Sequence, residues 1–521
     1  MIEYSSSKQI SIENFIQSFG GSLSKDNRWV ILANLLPWDE FVGVYVKSMS
    51  RKMGRKAINP RVAVGALIIK HILRSTDEDT IDHIKENPYL QYFLGYEAYR
   101  YEQPFTASLL VSIRYRLGTK EFEQLSSYFM RRVHQIEQKI AEQKDNDQNP
   151  KSGANNPAKA HTSAERPVDD VEKAIENKGH LIVDATVAPA DIKYPTDLDL
   201  LNEAREFSEE LIDLLYVSGQ GRIKPRSYRQ KARQDYLSVA KQRKKHKKTI
   251  RKAIKSQLNY LIRNIKTIEI LLDKKDVILF PLSHRHQKRY WVIQELYRQQ
   301  KQMYDERSHK ISDRIVSISQ PHIRPIVRGK TGKEVEFGAK ISASQIDGYS
   351  FLDRISWDAY NESTDLISQI ESYKERLGHY PQWVSADTIY GTRDNRAYMK
   401  SHGIKYSGVA LGRRPKEALA ELQEYEKERK KKSRERSQIE GAFGVGKRKY
   451  DLDLVKAKTR LSSESWIGMV YLVMNIARLM RVIFCSILKM VILFWKKLEK
   501  TVFDALFPAG AGTMKISVST F

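Results

Sequence analysis

Cysteine is almost missing from this sequence. Of 521 residues only Cys485 carries a thiol, so no intrachain disulfide and no cysteine-built zinc site can form, and a reducing compartment suits the chain. Acidic side chains are scarce relative to basic ones: 63 Asp and Glu stand against 89 Lys and Arg, a formal net charge of +26. That excess repels itself unless a polyanion is the usual partner, which points first to nucleic acid and second to an anionic membrane surface. Long apolar runs are lacking too. The most apolar region, 466–495, is interrupted by Asn475, Arg478, Arg481 and Lys489. Its longest charge-free stretch, 466–477, falls well short of the roughly 20 residues that cross a bilayer. It reads as a buried helix or pair of helices and a candidate subunit interface. The opening MIEYSSSKQISIENF has neither the charged start nor the apolar core of a secretory signal, so a cytoplasmic location is expected. A Walker-type phosphate loop is absent, because GKTGK at 329–333 lacks the spacing and reads as a turn. No nucleophile elbow, Ser-His-Asp order or zinc spacing replaces it.

What is present alternates in character along the chain. Residues 1–143 are helix-like, with an apolar pattern in NPRVAVGALIIKHILR opened by Asn59-Pro60, further helices in TASLLVSIRYRLG and from Lys120 onward, and aromatics between them. The material suffices for an independent helical domain, and Arg51, Lys52, Arg55 and Lys56 form a basic corner. Residues 144–178 are polar, with little to bury, and read as a flexible linker. At 179–197 HLIVDATVAP is strand-like and carries Asp184. Residues 198–312 are polar and helical. Their middle, 222–255, holds 15 Lys or Arg and one acid, Asp235, with Lys244, Lys245, Lys247 and Lys248 around His246. Such a run can be a solvated face. Here apolar positions such as Tyr236, Val239, Ile254 and Leu258 give the helix one packed side, and phosphate contact is the favoured use of the other.

From 313 to 480 strands return. EVEFGAKISASQ and GYSFLDRISWDAY meet at Asp347-Gly348, a hairpin signal. A helix over 361–377, a strand in PQWVSADTIYG with Asp387, a helix in TRDNRAYMKSHG, a strand in IKYSGVA and a long helix from Lys416 to about Lys449 follow. This order predicts an α/β fold, a mixed sheet flanked by helices. Residues 481–521 are an apolar helix and a tail without an assignable role.

Three acids then have comparable settings. Asp184 and Asp387 each close a short apolar strand, and strand ends are where ligand sites form in such sheets. Glu440 shares one helix face with Arg436, Phe443 and Lys447, spaced 4, 3 and 4. Singly, Asp184 could be a strand-end cap, Asp387 a turn former and Glu440 an ion-pair partner of Arg436. Together they offer hard oxygen donors for Mg²⁺ or Mn²⁺ beside cations for a polyanion.

With these motifs on view, the chain resembles the DDE transposases of bacterial insertion sequences, over most of its length from the helical N-terminal region to about Met480. The most specific piece is Arg, three residues, Glu, six residues, Lys, matched by Arg436, Glu440 and Lys447. HLIVDATVAP and WVSADTIYG look like the first and second acid motifs. The family often has a Tyr three residues before the Arg, and this chain has Ser433. The resemblance implies an RNase H-like catalytic domain with a helical insertion after the first catalytic strand. It also implies a catalytic and metal-binding triad of Asp184, Asp387 and Glu440 with two Mg²⁺ or Mn²⁺ ions. Arg436 and Lys447 would contact DNA at the site, and Lys244, Lys245, Lys247 and Lys248 elsewhere. The expected reaction is DNA cleavage at the element's terminal inverted repeats and 3′-hydroxyl transfer into target DNA, by a homodimer at the bacterial nucleoid without a membrane partner. The alternatives are a catalytically inactive DNA-binding descendant and a membrane-surface protein.

Overall fold

The computed structural model describes residues 9–16, 21–47, 49, 57–148, 176–216, 224–273, 281–330, 333–409 and 420–506. The basic corner at 51–56, linker residues 149–175 and the tail from 507 lie outside them. Seven helices open the described chain: α1 (Arg28–Leu35), α2 (Trp38–Val46), α3 (Pro60–Leu73), α4 (Asp77–Glu86), α5 (Pro88–Phe93), α6 (Ser108–Arg114) and α7 (Thr119–Gln148). Their starts are locally encoded. The Asn59 side chain accepts from the Arg61 N–H with Pro60 in the first turn, and Thr76 and Asp79 form a reciprocal capping box. Helix α7 continues to Gln148, past residue 144, where the linker was expected to begin.

Helix α3 is mostly apolar and buried on nearly every side, its Arg61, Lys70 and His71 included. Its neighbours are not only helices. Leu67 of α3 and Phe129 and Val133 of α7 belong to one continuous core with Leu181, Val183, Ile346 and Phe351 of the sheet. The helical region therefore shares its core with the α/β part instead of closing an independent one. The sequence could not show this, because an apolar stripe does not name what it faces.

The sheet combines β1 (His180–Pro189), β2 (Arg324–Lys330), β3 (Lys333–Ile346), β4 (Tyr349–Ser356), β5 (Trp383–Ser385) and β6 (Lys405–Tyr406). Strand β3 is long enough to take β2 along its first half and β4 along its second, on one edge. Strand β1 lies antiparallel on the other edge, and β5 and β6 follow it in parallel. The β3–β4 turn is Asp347-Gly348, both with positive φ (49° and 79°), as a type I′ hairpin requires. At Gly338 the β1–β3 approach excludes a side chain, since a Cβ there would sit 2.1 Å from the Ala188 carbonyl oxygen. Gly338→Ala is expected to cost ~1–3 kcal/mol by forcing that pair apart, read as a lower urea midpoint.

Between β1 and β2 the chain inserts α8 (Asp197–Leu215), α9 (Arg229–Ala240), α10 (Lys247–Asp273) and α11 (His284–Asp305). These helices have their own core, including Leu201, Leu211, Leu261, Ile265, Ile293 and Leu296. A buried Arg205 is held there by Glu209, Asn202 and Gln257 at 2.5, 2.8 and 3.2 Å, which satisfies a charge that would otherwise be costly to bury.

After β4 come α12 (Leu366–Leu377), α13 (Arg393–Ser401), α14 (Ala420–Glu435), α15 (Ser437–Lys449) and α16 (Arg460–Leu506). The long helix expected over 416–449 is thus two helices that abut at Arg436. Helix α16 is continuous through 481, where a domain end was expected. By composition its segment Arg460–Cys485 is apolar and long enough to cross a membrane, and 61% of its most apolar window is buried in the protein. Two of the polar residues that interrupt its apolar run, Asn475 and Arg478, grip the sheet. Asn475 bonds both the N–H (2.9 Å) and the carbonyl (2.8 Å) of Ser350 on β4, and Arg478 donates to the Asp347 carbonyl. The helix so covers an edge strand that would otherwise expose unpaired backbone. On the opposite face of the sheet, Ile182, Ile341 and Ala343 pack against Ile439 and Phe443 of α15 and Ile467 and Val470 of α16.

Candidate active site

Strand register brings the two aspartates level. In the parallel β1–β5 pair the last partners are Ile182 and Ser385. Asp184 and Asp387 each lie two residues further on, so with side chains alternating along a strand both continue the direction of that last pair. Asp184 does not end its strand as the sequence suggested. Strand β1 runs on to Pro189, and Asp184 lies opposite Ala343 of β3. What ends there is the shorter neighbour β5, so the mostly buried Asp184 borders the cavity at a step in the sheet. Asp387 caps the next 3₁₀ turn, accepting the Thr388 N–H at 2.7 Å.

Helix α15 supplies the third side. Arg436, Glu440, Phe443 and Lys447, the one-faced set of the sequence, all line the same cavity as Asp184 and Asp387, a space of about 690 Å³. Arg436 sits between two of the acids. Its Nη2 forms an ion pair with Glu440 Oε1 at 2.9 Å and its Nη1 donates to Asp184 Oδ2 at 3.4 Å. Burial pushes the Asp184 carboxyl up to about 6; the Ala185 N–H and Arg436 oppose that, while the charges of Glu362 and Asp387 add to it.

Sequence reasoning missed two charged lining residues, Glu362 and Lys340, which pair at 2.9 Å. Glu362 stands in a short 3₁₀ turn, Glu362–Asp365, capped by Asn361, and Lys340 on β3. The cap is legible in the sequence, but nothing in it places that turn beside β1. The lysines at 244, 245, 247 and 248 are not part of this cavity. They occupy the exposed turn and first residues where α9 passes into α10.

Carboxylate oxygens are the donors that Mg²⁺ and Mn²⁺ take. Among the described residues no three acids or histidines stand close enough together to enclose an ion. Mg²⁺ is usually held by one or two carboxylates, several waters and substrate phosphate rather than by a closed protein cage. An open acidic cavity with Asp184 and Asp387 level with each other fits that mode of binding.

Residues 384–477 match a family described as the transposase DDE domain, and residues 17–116 one described as a transposase domain. Asp387, Arg436, Glu440 and Lys447 fall inside the first match and Asp184 before it. An uncharacterized protein, ORF8 in the nfe locus of Rhizobium meliloti, is 35% identical over 96 residues, which are 18% of this chain and 46% of that protein. The chain therefore spans about half the length of this curated relative. No solved structure matches.

Proposed function

We infer that this chain, which belongs to the DDE transposases of insertion sequences, cleaves DNA at the ends of its element and joins the freed 3′-hydroxyls to target DNA. The observation that carries this reading is the single cavity shared by Asp184, Asp387, Glu440, Arg436 and Lys447. The strand order, with β1 central, β3 and β4 antiparallel on one side and β5 and β6 parallel on the other, supports an RNase H-like catalytic domain, with α8–α11 as its insertion. On this reading the N-terminal helices, α1–α7, form a helical DNA-binding region.

Asp184 and Asp387 would hold divalent ions, Mg²⁺ or Mn²⁺, with Glu440 facing them from α15. When bound, such ions activate water and offset the charge that develops on phosphate during in-line displacement. The chain's own part is positioning. Arg436 and Lys447 hold phosphate oxygens over the acids, and the buried flank formed by Phe443 and Ile439 fixes the helix that carries them. The Lys244–Lys248 turn contacts the DNA backbone away from the reacting bond and contributes affinity without reading sequence. A homodimer, terminal inverted repeats and a location at the nucleoid belong to the same proposal. No observation favours the non-catalytic alternative.

The test is nicking of a DNA carrying the element's ends, with and without Mg²⁺. Failure of the wild-type protein to nick such DNA, while still binding it, would sink the reading. A pH dependence follows from Asp184. Its proton and a divalent ion compete for the same oxygens, so Mn²⁺ affinity is expected to be level above pH ~7. Below about 6 it should fall roughly tenfold per pH unit. Isothermal titration between pH 5 and 8 reads this directly.

A further inference from the structure

We propose that Glu362 is a fourth acid of the divalent-ion site, accepting hydrogen bonds from the water shell of the ion that Asp184 and Asp387 hold. The inference rests on the metal-dependent reading above and extends it to a residue outside the Asp184–Asp387–Glu440 set.

Three observations carry it. Glu362 lines the cavity together with all three acids, and only about a fifth of its side chain is exposed. Its position is built rather than incidental. The buried Asn395 side chain donates at once to the carbonyl of Ser363, next to Glu362, and to that of Tyr390, at 2.8 and 2.9 Å. Tyr390 closes the 3₁₀ turn that Asp387 caps, its N–H bonded to the Asp387 carbonyl at 3.0 Å. One amide thereby ties the turn bearing Glu362 to the turn bearing Asp387, which sets the spacing of the two carboxylates. Finally, Lys340 is held in place by the Tyr360 carbonyl at 2.8 Å while pairing with Glu362. A single ammonium leaves the other carboxylate oxygen able to accept from water.

A hydrated ion needs acceptors for the protons of its bound waters as well as direct ligands, and such outer partners orient the shell and tune affinity. In this scheme Lys340 is the opposing charge. It holds Glu362 in place in the absence of metal and repels the incoming cation.

The experiment is Mn²⁺ binding to the full-length protein without DNA, by isothermal titration and by the loss of free Mn²⁺ signal in electron paramagnetic resonance, alongside thermal melts. The variants are E362Q, K340M and D184N. Glu362→Gln keeps the shape and can still accept from Lys340, so only the charge is lost. It is expected to weaken Mn²⁺ binding roughly tenfold or more with an unchanged melt. Lys340→Met, which removes a competing cation but spares the carboxylate, is expected to tighten it. If D184N weakens binding while E362Q leaves it unaltered, the fourth-acid proposal is overturned and the metal-dependent reading stands. If E362Q and K340M weaken it equally, Glu362 is only the partner of Lys340 and the proposal is again overturned. If D184N itself has no effect, the underlying reading falls and takes this proposal with it.

Discussion

Asp184→Asn is expected to abolish DNA cleavage and, at the same time, to make the metal-free protein more stable. The first effect follows, on the metal-dependent proposal, from losing a charged ligand where several kcal/mol of transition-state stabilisation would be generated. At about 1.4 kcal/mol per factor of ten, cleavage should fall roughly a thousandfold or more. The second follows from the raised proton affinity of the buried carboxyl. Its ordinary value is 3.8, and burial carries it to about 6. Between these values the native protein binds the proton more tightly than the unfolded chain does, so stability declines as pH rises from about 4 to about 6. The whole cost is present above that. The gap, in which the attraction of Arg436 is already included, corresponds to a cost on the order of 3 kcal/mol, part of which a buried amide, itself polar, retains. A gain of ~1–2 kcal/mol for D184N at pH 7.5, shrinking towards pH 4, is the expected result in urea unfolding without divalent ions. A variant that loses both activity and stability would instead mark Asp184 as a structural cap of the sheet step.

Removing the four lysines 244, 245, 247 and 248 together is expected to change how DNA binding depends on salt more than how it depends on sequence. The turn they occupy is exposed, and the insertion's packing relies on the buried faces of α8, α10 and α11, so alanine at these positions leaves the core intact. Every phosphate that is no longer neutralised lowers the slope of log K against log salt by about 0.9. Four lysines, each neutralising one phosphate, correspond to a decrease of roughly 3 to 4, with equal losses of affinity on element-end and unrelated duplexes. Fluorescence anisotropy on both DNAs, from about 50 to about 200 mM salt, measures it. An unchanged slope would remove this turn from the DNA interface.

Much of this protein follows from local chemistry that needs no neighbours. Caps at Asn59 and Thr76, the Asp347-Gly348 hairpin and the strand-like runs around Asp184 and Asp387 are decided within a few residues. So is the placing of Arg436, Glu440, Phe443 and Lys447 on one face, because helical periodicity alone fixes it. The net charge of +26 likewise leads to the expectation of a polyanionic partner. Other features depend on long-range contacts. Only the β1–β5 register brings Asp184 level with Asp387, and only the shared core joins the N-terminal helices to the sheet. Asn475 and Arg478 interrupt an apolar run for no local reason, and their purpose appears once β4 lies against them. Glu362 stood unnoticed for the same reason. The turn that carries it is tied to the Asp387 turn through Asn395, and Lys340 pairs with it, contacts that form only after the chain has folded. Sequence determines which face a side chain takes and what charge it carries; which faces meet is settled by packing between segments far apart in the chain.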